Sequence, residues 1–480
     1  MKHDCFTLSL IAICMFTHSF AQPIIKYQRT LGGSNDDNFS CMDRTRDSGM
    51  IAGGTSYSGI SRQKTDTSRG GADYWIIKLD KKGNKQWDKT IGGSSNDFLV
   101  AIQQTRDGGY VLGGYSYSNK SGDKSANRIG FPDYWIVKLD TKGNKLWDKA
   151  IGVPDGYYSK ILKSLQQTRD GGYILAGVQF GEEEYSEPVQ VVKLDSLGNT
   201  EWDTAFGNES VTAVIQQTAD DGYILGGSNY NRGLDEEYYT VRKFDKQGST
   251  VWNKDYHILE GYLSVLTALV QMKNGDYLLG GYSNGDKFGV KTEASRGGYD
   301  YWLLQIDSLG TVKDDKTIGG NDNDQLMSMD LTDDGGLILG GYSTSNASAE
   351  KTENNWDSSR LNTNDYWVVK LDSKKMIQWD KTVGGVDQDY LYSIKQIAPD
   401  QYLLGGYSLS GVSGDKTQPS RGGSDYWGVV LNYITTPYPI ANNAIKTYGY
   451  TFSPKSNAFH NPLKDKMIYK VNTLAPPYFP

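Results

Sequence analysis

Cysteine is almost missing from this 480-residue chain: only Cys5, Cys14 and Cys41 occur. Residues 1–21 read as a secretory signal, with Lys2 as the basic start, an apolar stretch from Phe6 to Phe16, and a small-x-small cleavage site at Ser19-Phe20-Ala21. Cleavage there leaves Cys41 alone, which excludes an intrachain disulfide framework. Cys41 itself reads as a small core residue on a strand. Histidine is as scarce. Of four in the chain, only His257 and His460 lie beyond the signal. That excludes a histidine-rich metal centre, and no zinc-ligand spacing or Gly-x-Ser-x-Gly elbow is present. Positive charge is not in excess. A net charge of −7 argues against an electrostatic nucleic-acid footprint. The apolar stretch of the signal is too short for a stable membrane anchor, and no second apolar run reaches spanning length, so the expected product is secreted or cell-surface material without membrane insertion.

What is abundant is glycine, tyrosine and tryptophan, at 56, 34 and 11 residues. They recur in order. Asp73-Tyr74-Trp75 leads through an apolar stretch to Lys78-Leu79-Asp80, and Asp133-Tyr134-Trp135 to Lys138-Leu139-Asp140. Equal or looser copies end at Asp195, Asp245, Asp307, Asp372 and Asn432, which gives seven copies spaced by 60, 55, 50, 62, 65 and 60 residues. A period of this size means an array of like supersecondary units sharing one packed body.

The second copy shows the unit most clearly. Leu99–Ile102, Tyr110–Tyr115, Tyr134–Leu139 and Lys145–Ile151 are short, β-branched or aromatic runs bounded by turn residues, so each reads as a strand, here A, B, C and D. The C–D turn repeats as Asp-x-x-Gly at Asp80–Gly83, Asp140–Gly143, Asp195–Gly198, Asp245–Gly248 and Asp307–Gly310; the sixth copy, Asp372–Lys375, lacks the glycine. Asp opens such a turn and Gly supplies its positive φ. Gly-Gly at the end of strand B, as in Gly53-Gly54 and Gly113-Gly114, leaves room that tryptophans of adjacent units are expected to fill. Seven units of four antiparallel strands make an all-β, seven-bladed β-propeller. The last unit has strand C at Asp425–Leu431 but no strand D, whereas Tyr27–Gly33 matches the strand D sequence Trp87–Gly93. The N-terminal strand therefore closes the ring and removes its open edge.

These units resemble the SBBP family, named for seven-bladed β-propeller repeats. The resemblance rests on Asp-Tyr-Trp-Ile-Val-Lys-Leu-Asp, Gly-Asn-x-x-Trp, Ile-Gly-Gly-Ser and Asp-Gly-Gly-Tyr-x-x-Gly-Gly-Tyr-Ser, and covers about residues 24–432. It implies the propeller fold and no common catalytic residue. Kelch repeats also place Gly-Gly before a Tyr and a Trp, but Tyr134 and Trp147 stand too far apart for a usual kelch unit. Residues 433–480 carry no repeat. There Asn461-Pro462-Leu463-Lys464-Asp465-Lys466-Met467-Ile468 resembles the opening of a type IX secretion C-terminal sorting domain, which implies the secretion machinery as a partner. His460 departs from that pattern and the later strands are missing, so this segment reads as a linker with a truncated sorting motif. The expected organisation is signal 1–21, propeller 22–432 and tail 433–480.

Strand alternation puts D–A turns and B–C loops on one face. Length varies mainly in the B–C loops, and variable loops on a rigid scaffold are where function sits. Three B–C loops end in Ser-Arg-Gly-Gly, which nominates Arg69, Arg296 and Arg421 as ligand contacts, for instance to anionic sugars; the plainer alternative has each Arg paired with the Asp that follows, Asp73, Asp300 or Asp425. The short acidic loops Glu182–Glu184 and Asp235–Glu237 nominate Glu183 and Glu236, able to hold calcium or to act as acid and base on a glycoside, against a plainer solvated hairpin tip. Asp37, Asp97, Asp324 and Asp389 share an offset from Gly-Gly and suit turn hydrogen bonds better than metal. Gly122–Ser125 lacks the first glycine of a phosphate loop. His257 reads as replacing the Ile of a strand D copy. The reading is a non-catalytic exported propeller that binds an extracellular glycan or protein, with no cofactor unless calcium. A polysaccharide hydrolase using B–C carboxylates, endoglucanase-like, or a purely structural adhesin are the alternatives.

Overall fold

The computed structural model describes residues 22–434 apart from 154–158, 181–185, 207–209, 232, 259–260 and 358–362. The signal, the sorting motif with His460, and Glu183 lie outside the described residues. Twenty-eight strands form seven antiparallel four-stranded sheets. β1 (Ile24–Leu31) comes first in the chain but belongs to the last sheet. Blade one is β2 (Asp37–Arg44), β3 (Met50–Ser56), β4 (Asp73–Leu79) and β5 (Lys85–Ile91). Blade two is β6 (Asp97–Gln104), β7 (Tyr110–Ser116), β8 (Asp133–Leu139) and β9 (Lys145–Ile151). Blade three is β10 (Ser159–Gln167), β11 (Tyr173–Phe180), β12 (Ser186–Leu194) and β13 (Thr200–Phe206). Blade four is β14 (Ser210–Gln217), β15 (Tyr223–Asn231), β16 (Glu236–Phe244) and β17 (Thr250–Tyr256). Blade five is β18 (Ser264–Gln271), β19 (Tyr277–Ser283), β20 (Asp300–Ile306) and β21 (Val312–Ile318). Blade six is β22 (Asp324–Leu331), β23 (Leu337–Ser343), β24 (Asp365–Leu371) and β25 (Ile377–Val383). Blade seven is β26 (Asp389–Ala398), β27 (Gln401–Ser408) and β28 (Asp425–Asn432), completed by β1.

The innermost strands touch in the order β2, β6, β10, β14, β18, β22, β26 and back to β2, so the ring closes. β1 pairs antiparallel with β28 from Ile24↔Asn432 to Leu31↔Tyr426, which is the closure expected from the matching strand D sequences. The chain is a seven-bladed β-propeller.

Blades pack through aromatic rings from strand C. Trp75, Trp135, Trp302, Trp367 and Trp427 are fully buried, and so are Tyr74, Tyr239 and Tyr301. Burying a side chain of this size contributes roughly 3 kcal/mol. Trp75 donates Nε1–H to Asp88 of its own strand D at 3.1 Å and receives Tyr426 of the preceding blade, ring centroids 4.9 Å apart. Tyr74 reaches the other way. Its hydroxyl donates to the Trp135 carbonyl of the next blade at 3.1 Å. Tyrosine, not tryptophan, therefore fills the room above Gly-Gly, because the Trp is held within its own blade by the strand D aspartate. A Cβ on Gly114 would stand 2.0 Å from the Phe98 carbonyl oxygen and 2.5 Å from the Tyr74 hydroxyl. Both neighbours are fixed, so Gly114→Ala is expected to cost about 1–3 kcal/mol, read as a lowered midpoint in urea with unchanged slope.

A second, polar seam runs where strand C of one blade meets strand A of the next. Asp97 donates its amide to the Ala72 carbonyl at 2.6 Å, which sets its side chain beside that of Asp73. The same junction recurs as Asp300 with Asp324, Asp365 with Asp389 and Asp425 with Asp37. In all eight carboxylates Oδ1 is buried without a hydrogen-bond partner among the described residues. Lys64, Lys351 and Lys416 are buried between the two aspartates of their own blades.

Six A strands carry a β-bulge at one place. The register shifts between Phe39 and Cys41, Leu99 and Ala101, Leu162 and Ser164, Leu266 and Ala268, Leu326 and Ser328, and Leu391 and Ser393. A bulge leaves its extra residue unpaired and re-aims it. Here the extra residues are Ser40, Val100, Lys163, Thr267, Met327 and Tyr392, and all six line the central channel. Cys41, next to the first of them, is half-buried on β2 as expected of a small core residue, its thiol pointing at the Gly53 carbonyl at 3.8 Å.

Candidate functional site

The nominated arginines hold the scaffold together, and by a route the sequence did not suggest. The Asp that follows each Arg is engaged by backbone and serine: the Arg69 amide donates to Asp73 Oδ2 at 2.7 Å and Ser68 Oγ to the same oxygen at 2.6 Å. The guanidinium turns away to Asp66 at 3.1 Å and to Asp123 in the next blade's B–C loop at 3.0 Å. Arg296 repeats this with Glu293 at 3.1 Å and Glu350 of the next blade at 2.8 Å. At the third copy Gln63 takes the place of Asp123, and Arg421 Nε is buried without a partner among the described residues. The amide of Arg421 still donates to Asp425 at 2.5 Å. Arg69 and Arg296 are thus straps between loops with their charge already matched, and Arg421 holds its own loop through its amide.

The acidic loop of blade four is not a solvated tip. Glu236 is 2% exposed and lies 3.2 Å from His257 Nδ1, while the Ile258 amide donates to it at 3.2 Å. His257 occupies the position of Gly92, and Tyr256 that of Ile91, since Tyr256 pairs with Tyr239 as Ile91 pairs with Tyr74. Glu237, next along β16, is the unusual group. It is 8% exposed and its Oε1 has no hydrogen-bond partner among the described residues. Burial pushes its carboxyl up to about 7. Its charge, after burial itself, helps raise the Tyr282 and Tyr299 phenols, so the three groups are neighbours. Glu236 and Glu237 are successive strand residues and leave opposite faces of the sheet, which is not the facing pair that glycoside hydrolysis needs. Among the described residues no three His, Cys, Asp or Glu converge on a point that could hold a metal ion. The strand A aspartates make turn hydrogen bonds, as Asp37 does in accepting from the Gly33 amide at 2.5 Å and Ser58 Oγ at 3.0 Å.

The central channel is a concavity of about 610 Å³, a size ordinary for a ligand site. Sequence reasoning missed it. Its wall is built from Asn38, Ser40, Thr55, Thr212 and Thr267 beside the aromatic residues Phe98, Tyr115, Tyr392 and Tyr407. Phe98 is second in β6 and Tyr115 and Tyr407 are next to last in β7 and β27, at the end of the channel that opens toward the B–C loops, while Tyr392 sits at the β26 bulge. They form two stacks. In one, Phe98 and Tyr115 are 5.0 Å apart, with Tyr117 and Phe131 continuing outward at 5.2 Å from each other. In the other, Tyr407 lies 5.7 Å from Tyr392 and 5.1 Å from Tyr390, with Tyr342 another 5.0 Å beyond Tyr390. Burial pushes the Tyr115 and Tyr392 phenols up to about 12, so both stay neutral hydroxyls at any physiological pH.

No family model matches the chain. A similar curated protein, "Regulatory protein FlaEY" of Caulobacter vibrioides, is 28% identical over 182 residues, which is 37% of this chain and 19% of that protein's length. The match therefore spans about a fifth of that relative. Solved structures similar to this chain include a protein of unknown function from Dyadobacter fermentans at 11% identity and TM-score 0.44, covering 72% of this chain and 97% of that one. Phage phi92 endosialidase matches at 10% identity and TM-score 0.43, over 91% and 72% of the two chains. Polysaccharide lyase Uly1 matches at 11% identity and TM-score 0.41, over 83% and 90%. Likeness at this level adds nothing to the propeller already read from the seven sheets.

Proposed function

We propose that the protein is an exported binding propeller that takes a glycan at the B–C mouth of its central channel. One observation supports this above the rest: two stacks of tyrosine and phenylalanine rings border a wide channel whose remaining wall is largely hydroxyl, amide and aliphatic groups. A sugar ring has an apolar C–H face and a rim of hydroxyls. A rigid phenol matches both, with a flat apolar body and a neutral polar tip, at little cost in conformational entropy. The export signal read at residues 1–21 supports a ligand met outside the cell. A hydrolase is the weaker reading, since Glu237 has the protonation of a general acid but is not among the residues lining the channel.

Tyr392→Ala with Tyr407→Ala is the direct test, screened on a glycan array and quantified by calorimetry. The double variant is expected to bind at least tenfold more weakly than wild type, because aromatic rings of this kind contribute about 1 kcal/mol or more apiece beyond area, while the melting temperature stays close to wild type. Affinity unchanged in the double variant would sink the assignment to this mouth. Undiminished release of reducing ends by Glu237→Gln would remove Glu237 as the general acid, and no release by wild type would remove the hydrolase reading.

A further inference from the structure

The channel wall holds a single charged side chain among its lining residues, and it is a cation. Lys163 sits on the β10 bulge, between Leu162 and Ser164, and lines the channel together with Ser40, Thr267 and Tyr392 from the equivalent bulges. It forms no ion pair or hydrogen bond among the described residues, and burial by the surrounding wall lowers its pKa. The lysines of the C strands behave differently. Lys78, Lys138, Lys193, Lys243 and Lys370 each hold an aspartate of the A–B turn at 2.7–2.9 Å. Those five repeat with the scaffold. Lys163 does not: its counterparts are Ser40, Val100, Thr267, Met327 and Tyr392. A cation kept without a partner in a confined wet space, inside a protein of net charge −7, is an anion subsite by elementary electrostatics.

We propose that Lys163 makes the channel selective for acidic glycans by pairing with a sugar carboxylate or sulfate. The inference rests on the glycan reading above and names its ligand class. An ammonium ion of this kind is a point charge on a long stem, so it recognises an anionic group without demanding one fixed geometry. The neutral tyrosines bracket the sugar ring, and the lysine chooses among rings by charge. The selection is expected to weaken with salt, although less than at an open surface, because the wall excludes part of the ionic atmosphere. A peptide carboxylate offers the same charge, but it lacks the flat C–H face that the two aromatic stacks suit, so the sugar is the better match.

The test uses the whole protein on an array carrying uronate, sialylated and sulfated glycans beside their neutral or carboxyl-reduced counterparts. Wild type is expected to favour the acidic members at least tenfold. Lys163→Gln should abolish that preference while leaving binding of the neutral members unchanged, and Lys163→Arg should keep it. Because Lys163 is open to the channel and not packed in the core, all three proteins should melt together. Equal binding of acidic and reduced glycans by wild type, or an acidic preference that survives in Lys163→Gln, would overturn the inference and leave the tyrosine mouth standing. Binding of acidic peptides but of no glycan would overturn both.

Discussion

Deletion of Gln22–Leu31 is expected to abolish the folded domain, not merely to weaken it. β1 is the only part of the last blade that comes from the other end of the chain. Without it β28 becomes an open edge, and its backbone donors and acceptors lose their partners. Side chains lose theirs as well. Trp427, fully buried, donates to Gln28 Oε1 at 3.0 Å, where other blades use a strand D aspartate. Gln28 donates in turn to the Asp415 carbonyl at 2.5 Å, and the Thr30 amide to Gln418 at 2.7 Å. Orphaning a buried donor costs about 1–3 kcal/mol, and several are orphaned together in a domain whose whole stability is on the order of 5–15 kcal/mol. Circular dichroism should show no cooperative melt, and size exclusion should show oligomers built on the free edge. A synthetic peptide of residues 22–31 added during refolding should restore both. A truncated protein that stays monomeric and melts as wild type would refute the closure.

The polar seam makes an equally large prediction about pH. Each blade with a full junction contributes two buried aspartates and one buried lysine, so one negative charge per blade is left over, and it lies where two carboxylates of neighbouring blades meet. Burial first, and then the facing aspartate, push Asp300 up to about 7 and Asp365 up to about 8; burial raises Asp324 and Asp389 to about 6. The sign follows from proton counting. Between the ordinary carboxylate range and these raised values, the folded protein holds protons that the unfolded chain has released, so stability falls as pH rises from about 4 to about 8. Lowering pH from 7.5 to 5.5 should therefore raise the melting temperature. A tenfold difference in proton affinity between the folded and unfolded states is worth about 1.4 kcal/mol per group, so a gain of several degrees is expected by calorimetry. Lys291 and Lys351, lowered to about 8 by burial, stay mostly protonated through this window and oppose the trend only weakly. Asp365→Asn, which keeps an oxygen for the Trp356 amide now 2.7 Å away, should flatten the dependence. A melting temperature that falls steadily from pH 7.5 to 5.5 would contradict the shared-proton junction.

The blades were legible because their residues repeat. Period, turn glycines and the displaced strand D sequence are all local or translational signals, and the observed strands and ring follow them. Partners across blades were not legible. Nothing in Ser68-Arg69-Gly70-Gly71 says that the guanidinium crosses to Asp123 while backbone and serine serve Asp73, because that depends on how two loops 54 residues apart stack. Glu236 and Glu237 read as a hairpin tip, yet the strand begins at Glu236 and takes both acids inside. The channel escaped notice for a different reason. Strand A reads as plain alternation, and the bulge that turns Lys163 inward breaks the alternation by one residue. One signal was available: at that offset the copies read Ser, Val, Lys, Thr, Met and Tyr, while the Leu or Phe before it and the small residue after it are kept.

That same offset separates invention from upkeep. Thr267 and Tyr392 on their bulges also touch a neighbouring blade, but Lys163 holds none by hydrogen bond or ion pair among the described residues, so exchanging it alters what the lumen attracts without loosening a wall. A protein built this way can acquire a new ligand by one codon at a time, each change tested by selection while the masonry around it stands.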